Sequence, residues 1–140
     1  MRVLVLGAAG FLGSNLVRRW LADPEATVTA LDSLEAPLKA NLNNLAKIRD
    51  CIRFIHGDVR NRPLLCELMA EHDVVYHCAA QTSHSLSLRE PLYDAELNVL
   101  GTLNVLEAVR HRHKLRTGHL RGNRFRIVLS DADPAYVRER

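Results

Sequence analysis

Three glycines stand at a spacing of three, Gly7-x-x-Gly10-x-x-Gly13, directly after the apolar run Val3–Leu6. An apolar set at helical spacing follows them: Leu12, Leu16, Val17, Trp20 and Leu21. Each glycine has a physical use. Gly7 allows a tight exit from a strand, Gly10 lets backbone approach a ligand with no Cβ in the way, and Gly13 lets helix pack closely on strand. The free N–H groups and positive dipole of the helix start then face an anion such as a pyrophosphate. Phe11 and Leu12 belong to this loop as the residues between the last two glycines. Asp32, followed by Ser33, lies 19 residues beyond Gly13 and closes the apolar run Thr27–Leu31. A carboxylate there can accept from both hydroxyls of an adenosine ribose and would repel a 2′-phosphate. A glycine pattern alone is also an ordinary tight turn. The strand before it, the helix after it and the acid at this distance point to a dinucleotide, NAD rather than NADP.

The elements that must position these groups alternate along the chain. Val3–Leu6, Thr27–Leu31, Ile52–Ile55, Val74–Cys78 and Phe125–Leu129 read as buried strands. Between them lie the first helical set, a stripe of Leu38, Leu42, Leu45 and Ile48, and a helix started by Asn61 and Pro63. A long helix is expected from Pro91 to Arg110, with Val99, Leu103, Leu106 and Val109 on one stripe. Strands alternating with helices imply right-handed crossovers and a parallel sheet. The fold class is therefore α/β, a doubly wound parallel sheet of the Rossmann type.

Composition narrows the classes further. The chain has 140 residues, 47% apolar and 25% charged, which suits one domain with a real core. Its net charge of +3 is local. Arg110–Arg126 holds seven Lys/Arg and no acid, and the remainder carries 12 basic and 16 acidic residues. That segment has no interleaved aromatics, with Phe125 at its edge, so it reads as a solvated connector rather than a nucleic-acid patch. His111-x-His113 does not share a helix face and is no metal pair. Cys51, Cys66 and Cys78 fit neither a disulfide framework nor a zinc ribbon, and read as reduced thiols in a cytoplasmic protein. No apolar run is long enough for a membrane span. The start, Met1–Gly10, is better explained by a strand and glycine loop than by a signal peptide.

A resemblance accompanies these features. Gly7–Gly13, Gly57-Asp58-Val59-Arg60, Asp73–Gln81, Thr82-Ser83-His84, Glu90-Pro91, Asn98-Val99-x-Gly101-Thr102 and Leu106-Glu107-Ala108 form an ordered series over roughly the first 110 residues. The series resembles the NAD-dependent nucleotide-sugar epimerase/dehydratase family of extended short-chain dehydrogenases, UDP-glucose 4-epimerase-like members above all. The resemblance implies a strand order of 3-2-1-4-5 and bound NAD that transiently oxidises a sugar hydroxyl. It implies that Asp58 and Val59 hold the adenine and that Ala79, Ala80 and Gln81 line the dinucleotide near its nicotinamide. Asn98 would order water at the active site, and Ser83 and His84 would lie near the sugar pocket. It also implies a homodimer through the long helix 91–110. Bland readings stand beside these: Asp58 as a turn or cap residue, Asn98 as a packing amide, His84 as a solvated loop residue and His77 as a core histidine.

The match then fails. Family chemistry implies a Tyr base with Lys four residues later, which favours its phenolate. Here Tyr136 has Arg140 at that offset, and Arg is not equivalent to a compact ammonium. Tyr136 also lies only six residues beyond Ser130, with Asp131 and Ala132 where Ser/Thr is expected. The expectation is an NAD-binding part of about five strands, without the substrate domain and not catalytic alone. A non-catalytic dinucleotide-binding or interaction module is the alternative, and a nucleic-acid binder acting through the basic segment comes third.

Overall fold

The computed structural model describes residues 1–38, 40–116 and 126–129. Ser130, Asp131, Ala132, Tyr136 and most of the segment from His113 to Phe125 discussed above lie outside the residues whose side chains are described. The elements run β1 (Arg2–Leu6), α1 (Phe11–Leu21), β2 (Thr27–Asp32), β3 (Arg53–His56), α2 (Arg62–Glu71), β4 (Val74–His77), α3 (His84–Arg89), α4 (Pro91–Ala95), α5 (Gly101–Arg116) and β5 (Arg126–Leu129). The sheet order is β3-β2-β1-β4-β5 with every pair parallel. The parallel, doubly wound sheet is the one expected from the alternation of elements, and its order is the one implied by the resemblance.

Alternation along each strand sends side chains to two cores, one per face. On one face Leu4, Leu6, Leu31 and Val75 pack with Leu65, Leu68 and Met69 of α2 and with Val105 and Ala108 of α5. On the other, Val3, Val5, Val28, Ala30 and Tyr76 pack with Val17 of α1 and with Leu45. The Trp20 ring meets Tyr76 at 6.1 Å there. β1 is central in the sheet, and Val3 through Leu6 have no exposed surface. Caps place the shorter helices. The Asn61 side chain accepts from the Leu64 amide at 3.2 Å, with Pro63 in the first turn of α2, as the sequence predicts.

Two segments differ from their sequence patterns. The Leu38–Ile48 stripe predicts a helix, but the chain forms 3₁₀ turns at Ala36–Leu38 and Leu42–Cys51, and Leu42 stays exposed. Asn41 caps the second of these by accepting from Asn43 N. The asparagines at 41, 43 and 44 compete locally for backbone groups, which favours such tight turns over α-helix. The long helix does form, through α4, a π turn at Glu96–Leu100 and α5. Its buried row is Leu97, Gly101, Val105, Ala108 and Arg112. Of the expected stripe only Val109 joins the core; Val99, Leu103 and Leu106 face outward. A Cβ on Gly101 would come within 2.9 Å of Val59 Cγ2, so small residues line the inner face.

Two histidines are buried in neutral form. His72 donates from Nδ1 to the Leu68 carbonyl and accepts at Nε2 from the Thr29 hydroxyl, both at 2.7 Å. The Thr102 hydroxyl donates to the Asn98 carbonyl, so His77 Nε2 donates to Thr102 Oγ1 at 3.1 Å. His77 Nδ1 has no partner among the described residues. Burial lowers the pKa of both rings. The unfolded chain therefore binds protons first, and stability is lost as pH falls below the unfolded value of about 6.5. The urea midpoint should be lower at about pH 5.5 than at about pH 7.5, and His77→Gln should shrink the difference; a pH-independent midpoint would contradict this.

Candidate functional site

A cleft opens at the carboxyl ends of the strands, where the sheet order reverses between β1 and β4, the usual ligand position in open α/β sheets. It encloses about 440 Å³, including the part open to solvent. Gly7 and Gly10 form its floor, Asp32, Ser33, Asp58 and Val59 one end, and Ala79 and Ala80 the other side. Leu31, Leu38, Gly57, Cys78 and Leu97 complete an otherwise apolar lining.

The three glycines have separate reasons to be glycine. Gly7 has φ +76°, and a Cβ there would sit 2.5 Å from Ala79 N. A Cβ on Gly13 would lie 2.1 Å from the Gly7 carbonyl oxygen, which fixes how closely α1 packs on the loop. Gly13 therefore lies under the loop rather than in the cleft. Gly10 is different. Its Cβ would meet only the Gly7 oxygen, at 3.3 Å, and would otherwise project into open space. Gly10 is also the N-cap of α1, with no side-chain cap and no acid in the first turn. The Phe11 and Leu12 side chains turn outward, 80% and 54% exposed, so these residues offer the site backbone rather than side chain.

Asp32 is almost fully buried and holds this loop in place. Its Oδ2 accepts from Ala9 N at 2.8 Å and its Oδ1 from Leu34 N at 2.9 Å. The second bond supports Leu34 at φ +54°, a conformation leucine rarely adopts. Each carboxylate oxygen has two acceptor sites, so both retain capacity for a ribose hydroxyl. The loop is braced from the other side too. The Ala9 carbonyl accepts from Asn44 Nδ2 at 2.8 Å and Asn41 N at 3.2 Å.

Asp58 is both a cleft residue and a turn residue. Its Oδ1 accepts from Arg60 N at 2.7 Å, while Arg60 Nε lies 3.0 Å from each carboxylate oxygen and Nη2 lies 2.5 Å from Oδ2. Burial works against the Asp58 charge, but the Arg60 hydrogen bonds outweigh it and hold the carboxyl below its ordinary pKa. Arg60 Nη2 also reaches Glu35 Oε2 at 2.9 Å, which accepts from the Tyr93 hydroxyl at the same distance. On the far wall, burial pushes the Cys78 thiol up to about 11, so it stays protonated and apolar in behaviour.

The family of the chain follows from comparison with known proteins. The model of the NAD-dependent epimerase/dehydratase family matches residues 3–125. The chain belongs to that family. The chain is 40% identical over 121 residues to the dTDP-glucose 4,6-dehydratase of Mycobacterium tuberculosis, covering 86% of this chain and 36% of that protein. With the UDP-glucose 4-epimerase of Mycolicibacterium smegmatis it shares 43% over 112 residues, or 79% and 35% of the two chains. The dTDP-glucose 4,6-dehydratase of Streptomyces venezuelae, solved with NAD bound, superposes with a TM-score of 0.74 at 36% identity. That superposition covers 81% of this chain and 37% of the solved one. The chain thus spans about a third of the length of the relatives it matches.

The cleft brings together Gly7, Gly10, Asp32, Ser33, Asp58, Val59, Ala79 and Ala80. It does not include Gln81 or Asn98. Their groups pair instead: Gln81 N donates to Asn98 Oδ1 at 2.8 Å, and Asn98 Nδ2 returns a bond to the Gln81 carbonyl at 2.9 Å. The buried Gln81 amide donates to Asp94, Ser87 and the Ser83 carbonyl, and accepts from Ser83 N. Asn98 thus has the packing role open to it in sequence. Ser83 caps α3 by accepting from Leu86 N at 3.4 Å, and His84 is exposed at that helix start. Three contributors were absent from the sequence reading: Asn44, Glu35 and Tyr93. Asn41 and Asn44 could have been found as a cap pattern next to the loop; the Glu35–Tyr93 contact spans 58 residues and could not.

The donor set fits an NAD molecule. Among the described residues Gly10 is the cleft glycine whose Cβ would meet one atom alone, the Gly7 oxygen; an uncapped helix end adjoins it, and a carboxylate stands at each strand end of one wall. Among the described residues no group of His, Cys, Asp and Glu could hold a metal ion, and no helix is long and apolar enough to cross a membrane.

Proposed function

We propose that this chain is the NAD-binding portion of a nucleotide-sugar epimerase or dehydratase. The observation that carries the reading is the open space over Gly10, beside the uncapped start of α1 and within one cleft with Asp32. Backbone amides at Phe11 and Leu12 would face the pyrophosphate, with Gly10 leaving room for it, and Asp32 would accept from the ribose hydroxyls. Ser33 would flank the ribose. Asp58 and Val59 would hold the adenine, and Ala79 and Ala80 would leave room for the nicotinamide. Gln81 and Asn98 support that wall by their mutual hydrogen bonds, with Ser83 and His84 on the side where a sugar would enter. Bound NAD supplies reversible hydride transfer, and the protein supplies binding and orientation.

These 140 residues contain no Tyr with Lys four positions later. The span is therefore expected to bind the cofactor without turning over a nucleotide sugar by itself. The three free cysteines are consistent with a cytoplasmic setting. Calorimetry tests the binding: NAD should bind with one site per chain, and Asp32→Ala should weaken it by roughly tenfold or more through loss of charged hydrogen bonds. Unchanged affinity would overturn the cofactor assignment. Steady turnover of a nucleotide sugar by the 140 residues would overturn the statement that they are not catalytic alone.

The outward row of the long helix, Leu92, Val99, Leu103 and Leu106, is 40–79% exposed. An apolar row of this kind is an association surface, and a second copy offering the same row is the partner that symmetry favours. Sedimentation should find a dimer that Leu103→Glu dissociates. A wild-type monomer at high concentration would contradict it.

A further inference from the structure

The cleft wall made by Ala79 and Ala80 is a two-residue span held at both ends. At one end Cys78 N donates to the Leu6 carbonyl at 2.8 Å, just beyond the last residue of β4. At the other, the Asn98 amide grips the Gln81 backbone on both its N–H and its carbonyl. A single atom of α4 ties that second anchor together. Asp94 Oδ1 accepts from Gln81 Nε2 at 2.7 Å and from Asn98 Nδ2 at 3.2 Å. Its neighbour Tyr93 reaches instead toward the Asp58 end of the cleft, through Glu35 and Arg60. We propose that Asp94, which does not line the cleft, is a positioning residue that sets the Ala79–Ala80 wall and thereby favours a dinucleotide that carries its nicotinamide over one that lacks it. The inference rests on the NAD-binding reading above.

The polarity of these groups gives the carboxylate its role. Both amides present N–H to Asp94, and a carboxylate oxygen accepts without donating, so one acceptor orients both. With Nε2 turned to Asp94, Gln81 Oε1 is left to accept from Ser83 N, where the chain turns into α3. Gln81 is 4% exposed, so water has little access to replace a lost partner. Without the carboxylate the buried amide must turn to re-pair, and the backbone to which it is attached moves with it. Folding depends less on this contact than the wall does. Leu97 and Val105 anchor the long helix in the core, and Asp94 itself is partly exposed. Losing the carboxylate therefore leaves the helix packed while it frees the end of the Ala79–Ala80 span.

Calorimetry on the full chain with NAD and with ADP-ribose, which lacks the nicotinamide, separates this wall from the rest of the cleft. Wild type should favour NAD by roughly tenfold or more. Asp94→Ala should weaken NAD by about tenfold, the effect of losing hydrogen bonds to a charged group, and leave ADP-ribose nearly unchanged. Asp94→Asn keeps an acceptor without the charge. It should weaken NAD by about threefold, again with ADP-ribose unchanged, and it carries the test where Asp94→Ala does not fold. A merely structural role for Asp94 would weaken both ligands together. Equal weakening, an unchanged ratio of the two affinities in the folded variants, or no preference in wild type would each overturn the proposal. Failure of wild type to bind either ligand would instead overturn the function on which it rests.

Discussion

At Gly7 the backbones of β1, α1 and the end of β4 meet with no room for a side chain. The residue has a positive φ, its Cβ direction is filled by Ala79 N at 2.5 Å, and its carbonyl lies where a Gly13 Cβ would be 2.1 Å away. Its amide and that of Ala8 both donate to the Leu31 carbonyl, at 2.9 and 3.1 Å, which locks the loop to β2 as well. The start of α1, the end of β2 and the wall at Ala79 therefore have fixed mutual positions. Those are the three places from which the cleft is built. The bury-both-faces core of the sheet supplies the stability, and this junction supplies the geometry.

The proposed phosphate contact rests on local groups rather than on net charge. The chain carries +3, yet seven basic residues sit between Arg110 and Arg126, and the rest is net acidic. α5 extends through Arg116, so the first part of that segment is a helix tail. The groups proposed to meet an anion lie elsewhere, in the amides and dipole at the start of α1 beside an uncharged loop. In the proposed function Asp32 and Asp58 would act at the nucleoside end.

Much of this was legible in the sequence because it depends on short-range rules. The glycine spacing, the strand before it and Asp32 at the end of the second strand identify the loop, and the Asn61 cap follows from an equally local pattern, whereas the strand order is carried by the family resemblance alone. The long helix was legible in extent but not in its inward face. Large apolar residues at Val99, Leu103 and Leu106 suggest a core stripe, while the close approach of α5 to Val59, in the turn after β3, demands glycine at position 101. The π turn at Glu96–Leu100 adds a rotation that no periodicity anticipates. Gln81 shows the limit in another way. Its motif position implies a cofactor contact, but its amide is consumed by Ser83, Ser87 and Asp94, a fact set by tertiary placement. The Glu35–Arg60–Tyr93 contacts are likewise distant in sequence and carry no local signature.

The central claim is that the junction at Gly7 and Gly13 shapes the protein while Gly10 serves the ligand. Gly10→Ala separates the two most directly, with NAD affinity and the denaturant midpoint measured on the same sample. The expected result is a fold kept with a modestly lower midpoint, since the new methyl presses on the Gly7 oxygen alone, at 3.3 Å, and alanine caps a helix less well than glycine, together with NAD affinity lower by about tenfold or more. Retained affinity in the folded variant would contradict the account.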